Sequence, residues 1–228
     1  MAHLAHYKQA HPLPMKVTHW VNLCCMALLI LTGFLIHFPF WAGLTGVARG
    51  LHVFCGMVLV VNCILRIVFA FMFHSAPTGG TRNMVRDYKT YLPQADNKHQ
   101  LIPWIKYYLF IKKDHPLSAK LGVPQKLSYL FVCLLIFVMG YTGFCLWIPT
   151  ASWDFFAAGT AAVGGMMSMR IIHYFMMFVF ILFSMLHIYL ANIEGLAPTK
   201  LMFFGTEHGG LVYDPEKHTI VGEDKLDH

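Results

Sequence analysis

The chain has 228 residues, 57% hydrophobic and 12% charged, with a mean hydropathy of +0.56. A soluble domain carries roughly 25% charged residues, so the composition excludes an ordinary soluble fold and points to a membrane protein. The formal net charge of +6 is concentrated in particular loops and reads as topology, with no nucleic acid expected as a partner.

In chain order, a polar leader with His3, His6 and His11 reads as a solvated arm. The apolar run that follows is longer than the roughly 7–15 residues of a cleavable signal, so it is expected to stay as a helix. Runs long enough to cross a hydrocarbon core, which takes about 20 residues, lie at 16–37, 51–73, 125–148 and 170–193. The prediction is an all-α integral membrane four-helix bundle, one domain over 1–228 with a polar tail from 194. Two other segments fall short of a span. "LIPWIKYYLFI" places Trp104, Tyr107, Tyr108 and Ile111 at helical spacing beside Lys106, Lys112 and Lys113, which predicts an amphipathic helix at the membrane interface. "AAGTAAVGGMMSM" is glycine-rich and only weakly apolar.

The connection between spans two and three carries Arg82, Arg86, Lys89, Lys98, Lys106, Lys112, Lys113 and Lys120. The first connection has only Arg49, and the third has no Lys or Arg before Arg170. The positive-inside rule therefore places the second connection in the cytoplasm, and four spans then put both termini there too. All six cysteines lie in apolar stretches without a C-x-x-C. That disfavours disulfides, zinc and covalently attached haem, and leaves thiols packed as small hydrophobes.

The last span holds His173 and His187, fourteen residues apart. In an α-helix that interval rises about 21 Å and closes nearly on a whole number of turns, so the two share a face near opposite leaflets. His52 falls at the depth of His173 and His19 at the depth of His187. Ionisable side chains inside a bilayer are expensive and usually functional. Two pairs of facing imidazoles stacked across a bundle are what bis-histidine ligation of two haems requires, with an outer haem at His52 and His173 and an inner one at His19 and His187. The same interval leads from His52 to Arg66, a candidate partner for a haem propionate. It also leads from His19 to Gly33, where a missing side chain would leave room for the outer macrocycle. His37 and His74 lie at helix ends, the methionines around Met166 and Met177 suit packing, and Asn22 and Asn62 suit interhelical hydrogen bonds.

"THWVNLCCMALLILTGFLI", "HVFCGMVLVVNCILRIVFAF" and "RIIHYFMMFVFILFSMLHIYLA" resemble the first, second and fourth helices of the b-type cytochrome subunits of respiratory nickel-iron hydrogenases. The gamma subunits of formate dehydrogenases and the cytochromes of thiosulfate reductases, all di-haem and cytochrome b561-like, are relatives in that group. The R-x-x-H-x13-H-x-Y pattern of the fourth helix is the specific element. "LGVPQK" stands where the hydrogenase cytochromes usually carry a G-H-N-P-like element.

The resemblance implies two b haems on His19, His52, His173 and His187. It also implies an iron–sulfur small subunit and a catalytic large subunit on the outer face of a bacterial or archaeal cytoplasmic membrane, and reduction of menaquinone or ubiquinone near the inner haem. The chain would transfer electrons without acting on the primary substrate itself. Gln125, Lys126, Asn22 and Asn192 are the side chains near the inner haem able to hydrogen-bond a quinone carbonyl. Alternatives are a formate dehydrogenase or thiosulfate-type reductase subunit, a haem-free carrier using histidines for protons or metal, and a haem-free membrane anchor.

Overall fold

The computed structural model describes residues 7–77, 83–93, 99–113, 116, 120–192, 196–214 and 219–223. His3, His6, Arg82, Lys98, Glu194 and the last residue of the expected fourth span lie outside them, as does part of the tail. The long helices are α1 (Leu13–His37), α2 (Thr45–Met72), α4 (Val123–Leu146) and α7 (Met166–Asn192), each long and apolar enough to cross a membrane. Shorter ones are α3 (Leu101–Tyr108), α5 (Ile148–Ala151), α6 (Asp154–Ala162) and α8 (Ala197–Phe204). Two antiparallel hairpins complete the described elements, β1 (His74–Ser75) with β2 (Val85–Arg86) and β3 (Leu211–Asp214) with β4 (Thr219–Glu223). This is an all-α membrane bundle with small extramembrane additions.

The helix ends depart from the apolar runs, because the runs mark where hydrocarbon lies and not where backbone hydrogen bonding stops. Helix α1 starts three residues before the expected position 16, with Pro14 in a first turn where its missing N–H costs nothing. Helix α2 starts six residues before position 51 and takes in Gly46 and Gly50. Helix α4 stops at Leu146, short of 148, since Trp147 is extended (ψ 119°) and Ile148 precedes Pro149, which disfavours a continuing helix. Helix α7 begins four residues before 170, so Arg170 lies a turn inside it. The chain reverses into α7 through Gly164 and Gly165 at φ 90° and 105°, a conformation glycine alone adopts freely. Helix α3 is present but ends before Ile111, as the chain turns at Phe110 with φ 59° and the Lys106 carbonyl accepts from the N–H groups of Ile111 and Lys112.

The chain divides into two compact units. The bundle unit comprises Thr18–Leu65 and Val132–Ile188. Its core is Cys25, Cys55, Leu59, Cys63, Leu135, Ile136 and Phe180, with the small cysteines letting helices approach closely. The Asn62 amide donates to the Thr18 carbonyl (2.7 Å) and to Asn22 Oδ1 (2.6 Å), which ties α2 to α1 as expected of these two asparagines. The charged residues of this unit, Arg49, Asp154 and Arg170, are all exposed.

The basic unit comprises Met1–Val17, Arg66–Phe131 and Tyr189–His228. Its centre is Asp87, fully buried. Arg66 Nη2 and Lys120 Nζ each lie 2.9 Å from a carboxylate oxygen, and Ser75 Oγ donates at 2.7 Å. Burial alone would push the Asp87 carboxyl up, but Lys120 and Arg66 outweigh it and hold it at about 2. Burial pushes the Lys120 ammonium down, opposed by Asp87. Nearby, the indole of Trp104 is buried against Gly122, where a Cβ would come within 3.1 Å of the ring. Of the aromatic residues that sequence periodicity placed along this helix, Trp104 is the buried one.

Candidate functional site

The bundle unit brings the four span histidines together in two pairs, each half-buried. His52 of α2 faces His173 of α7 with ring centres 6.2 Å apart and planes at 67°. His19 of α1 faces His187 of α7 at 6.4 Å and 49°. Both pairings follow the fourteen-residue interval on α7.

These separations test whether a haem iron fits. A metal–imidazole bond of about 2.0–2.1 Å, added to the roughly 1.1 Å from ring nitrogen to ring centre, puts two imidazoles on opposite sides of one iron about 6.3 Å apart, centre to centre. Both pairs meet that spacing. Among the described residues no group of three or more His, Cys, Asp or Glu could hold a metal ion. A haem iron asks only two donors of the protein, and each pair offers two imidazoles.

Threonine side chains brace the first pair. Thr32 Oγ1 on α1 lies 2.9 Å from His52 Nδ1, and Thr142 Oγ1 on α4 lies 2.8 Å from His173 Nδ1. The glycine after each threonine faces the same ring. A Cβ on Gly33 would lie 3.5 Å from His52 Cε1, and one on Gly143 would lie 3.5 Å from His173 Cε1. Gly33 thus borders the pair for which its position along α1 nominated it. In the second pair, Phe183 stacks on His187 with ring centres 6.0 Å apart and planes at 9°.

Sequence reasoning missed Thr32, Thr142 and Phe183. The signal for the threonines was present as a T-G-F tripeptide that occurs at 32–34 and again at 142–144. A threonine in a membrane helix ordinarily returns its hydroxyl to a carbonyl of the preceding turn, so neither one looked unusual.

The remaining nominated residues each hold a local bond. Arg66 is bound in the basic unit by Asp87 and, at 2.6 Å, by Tyr91 Oη, two partners the fourteen-residue interval did not suggest. Gln125 Oε1 accepts from the Gly122 N–H at 2.8 Å, reaching back over the first turn of α4 as in a capping box. Lys126 Nζ donates to the Leu92 carbonyl at 2.9 Å. Asn22 accepts from Asn62, and Asn192 Oδ1 accepts from Thr199 Oγ1 at 2.7 Å. His37 stacks on Tyr174 at 4.0 Å, and His74 lies in β1 opposite Arg86. Of the methionines, Met169 and Met177 are buried while Met166 and Met167 are exposed.

Comparison with known proteins adds an independent line. Residues 10–205 match the profile of the prokaryotic cytochrome b561 family. A probable Ni/Fe-hydrogenase B-type cytochrome subunit of Rhizobium leguminosarum bv. viciae is 25% identical over 194 residues, covering 78% of this chain and 77% of its own length. A probable Ni/Fe-hydrogenase 1 B-type cytochrome subunit of Escherichia coli K12 is 26% identical over 155 residues, covering 63% of this chain. The match spans 62% of the E. coli relative's length.

Proposed function

The chain belongs to the prokaryotic cytochrome b561 family, and from that premise we propose that it carries electrons through two b haems between an outer-face hydrogenase and membrane quinone. It is a multi-pass membrane cytochrome b with an electron-transfer role. The observation that carries the di-haem reading is the pair of imidazole separations, 6.2 and 6.4 Å, on one helix-to-helix ladder.

A haem bound at each pair would supply a one-electron couple. The protein's part is to hold the ligands. His52 and His173 would hold the outer haem and His19 and His187 the inner one, each as a neutral imidazole, since only that form offers a lone pair to a metal. Gly33 stands beside the His52–His173 pair, and Arg66, held by Asp87 and Tyr91, would be the candidate partner for a haem propionate. Two electrons and two protons convert quinone to quinol on the cytoplasmic side, with Gln125, Lys126, Asn22 and Asn192 as candidate hydrogen-bonding groups for its carbonyls. Each of these four also holds a structural bond. Loss of quinone reduction with haem content intact is therefore what marks a quinone contact.

Hydrogenase as the partner is supported by the relatives' names; an iron–sulfur small subunit and a catalytic large subunit as the contacts within it are part of this proposal. The chain has no role of its own toward the primary substrate in this reading. A pyridine haemochrome assay with a reduced-minus-oxidised spectrum of the purified chain tests it. Two b haems per chain are expected, and a haem-free chain with intact helices would overturn the proposal in favour of a carrier or an anchor.

A further inference from the structure

The two T-G-F tripeptides occupy equivalent places around one histidine pair. One lies on α1 against the α2 histidine and the other on α4 against the α7 histidine, so all four long helices contribute to that pair. In both, the threonine oxygen meets Nδ1 and the following glycine faces Cε1 of the same ring. Two unrelated helices have arrived at one arrangement, which argues for a shared task.

Proton counting identifies that task. A threonine hydroxyl has one proton to donate. Thr32 Oγ1 lies 2.7 Å from the Leu28 carbonyl and Thr142 Oγ1 lies 3.1 Å from the Met139 carbonyl. A carbonyl oxygen only accepts, so a hydroxyl that keeps this bond to its own helix has no proton left for the ring. The contact to the imidazole is then satisfied only if Nδ1 carries the hydrogen and donates to the threonine oxygen. That leaves the Nε2 lone pair of both His52 and His173 available. A threonine donating to Nδ1 instead would put the proton on Nε2 and close that nitrogen to any metal.

We propose that Thr32 and Thr142 are paired positioning residues that lock His52 and His173 in the Nδ1–H tautomer and tune the reduction potential of the iron these rings would bind. The inference rests on the di-haem reading for its metal and on the hydrogen bonds for its mechanism. A ligating imidazole that donates its other N–H is fixed in orientation and made more basic. A more basic ligand stabilises ferric iron, so the threonines hold the potential of this haem down. A Cβ at either glycine would reach only ordinary contact with the ring, 3.5 Å from Cε1, so the effect rests on the threonines.

The test is a redox titration of the full-length, haem-loaded chain as wild type, Thr32→Val, Thr142→Val, the double valine variant, Thr32→Ser and Thr142→Ser. Valine keeps the shape and removes the hydroxyl; serine keeps the hydroxyl. With two haems still bound, each valine variant is expected to raise one of the two midpoint potentials and leave the other unmoved. The shift is up to about tenfold in the ferric-to-ferrous ratio, or about 59 mV for a one-electron couple. Serine is expected to restore the wild-type value, which a purely steric role would not require. Unchanged potentials in the double valine variant, or failure of both serine variants to restore them, would overturn the inference. Should a valine variant lose one haem, its serine counterpart must keep two at wild-type potentials, or the inference fails. A wild-type chain without haem would refute the di-haem reading itself. The tautomer is then read alone on chain labelled with 15N-histidine in lipid, where two Nδ1–H rings are expected in wild type and their absence overturns it.

Discussion

Buried polarity is handled in opposite ways by the two compact units. The bundle unit keeps Arg, Lys, Asp and Glu out of its interior: its inward polar groups are imidazoles, threonine hydroxyls and asparagine amides, while Arg49, Asp154 and Arg170 stay exposed. The basic unit buries charge outright, with Asp87 fully enclosed and the Lys120 side chain 3% exposed. Neutral groups tolerate a dry setting once hydrogen-bonded, whereas a buried ion tolerates it only with an opposite charge and further hydrogen bonds. The contrast matches the chemistry proposed for each. A haem ligand has to be an uncharged imidazole, and a neighbouring carboxylate or lysine would compete with that state.

The largest effect is expected on the neutral side. His187→Ala is expected to remove one haem completely and abolish quinone reduction, while the haem at His52 and His173 remains reducible. Difference spectra at single-haem resolution check this, and retention of both haems would refute the ligand assignment. On the charged side, Asp87→Ala leaves Arg66 and Lys120 without their shared carboxylate. The expected loss is about 3–5 kcal/mol of stability, measured by thermal denaturation in detergent. Replacing all three by apolar residues, D87L with R66M and K120M, is expected to recover most of it, since removing a whole charge cluster is far milder than orphaning part of one.

Acid sharpens the same contrast. The Asp87 carboxyl titrates at about 2 in the folded chain against an ordinary value of 3.8. Its contribution is therefore fully present above the unfolded value and lost as pH falls through that window, a change of about 2 kcal/mol. Asp87→Asn should flatten the stability profile across this range; an unaltered acid limb would show that other carboxylates dominate. The smallest effects come from matched glycine substitutions. Gly122→Ala crowds the buried indole of Trp104 and is expected to cost about 1 kcal/mol. Gly33→Ala makes only ordinary contact with His52, so fold stability should stay within about 0.5 kcal/mol while haem retention at that pair falls.

Much of the bundle was legible before any coordinates. Apolar runs long enough to cross a bilayer can hardly do otherwise, because backbone polar groups in hydrocarbon have no partner except one another. The helical period places His173 and His187 on one face, and the topology read from Lys and Arg then anticipated His19 with His187 and His52 with His173. The helix ends were less legible, being set by Pro149, by Gly164 and Gly165, and by the turn at Phe110. Asp87 drew no attention as a sequence feature, since its partners Arg66, Ser75 and Lys120 are scattered across the surrounding chain.

By itself, then, the amino-acid order determined the spans, their heptad-scale facing and the depth of each histidine, because these depend on local geometry and on the solvent the chain must enter. Tertiary structure alone decided which hydroxyl meets which imidazole nitrogen, what holds Arg66, and which partners Lys126 and Asn22 bond. Those outcomes depend on rotamers and on contacts between segments far apart in sequence, at a precision of tenths of an ångström that no periodicity encodes.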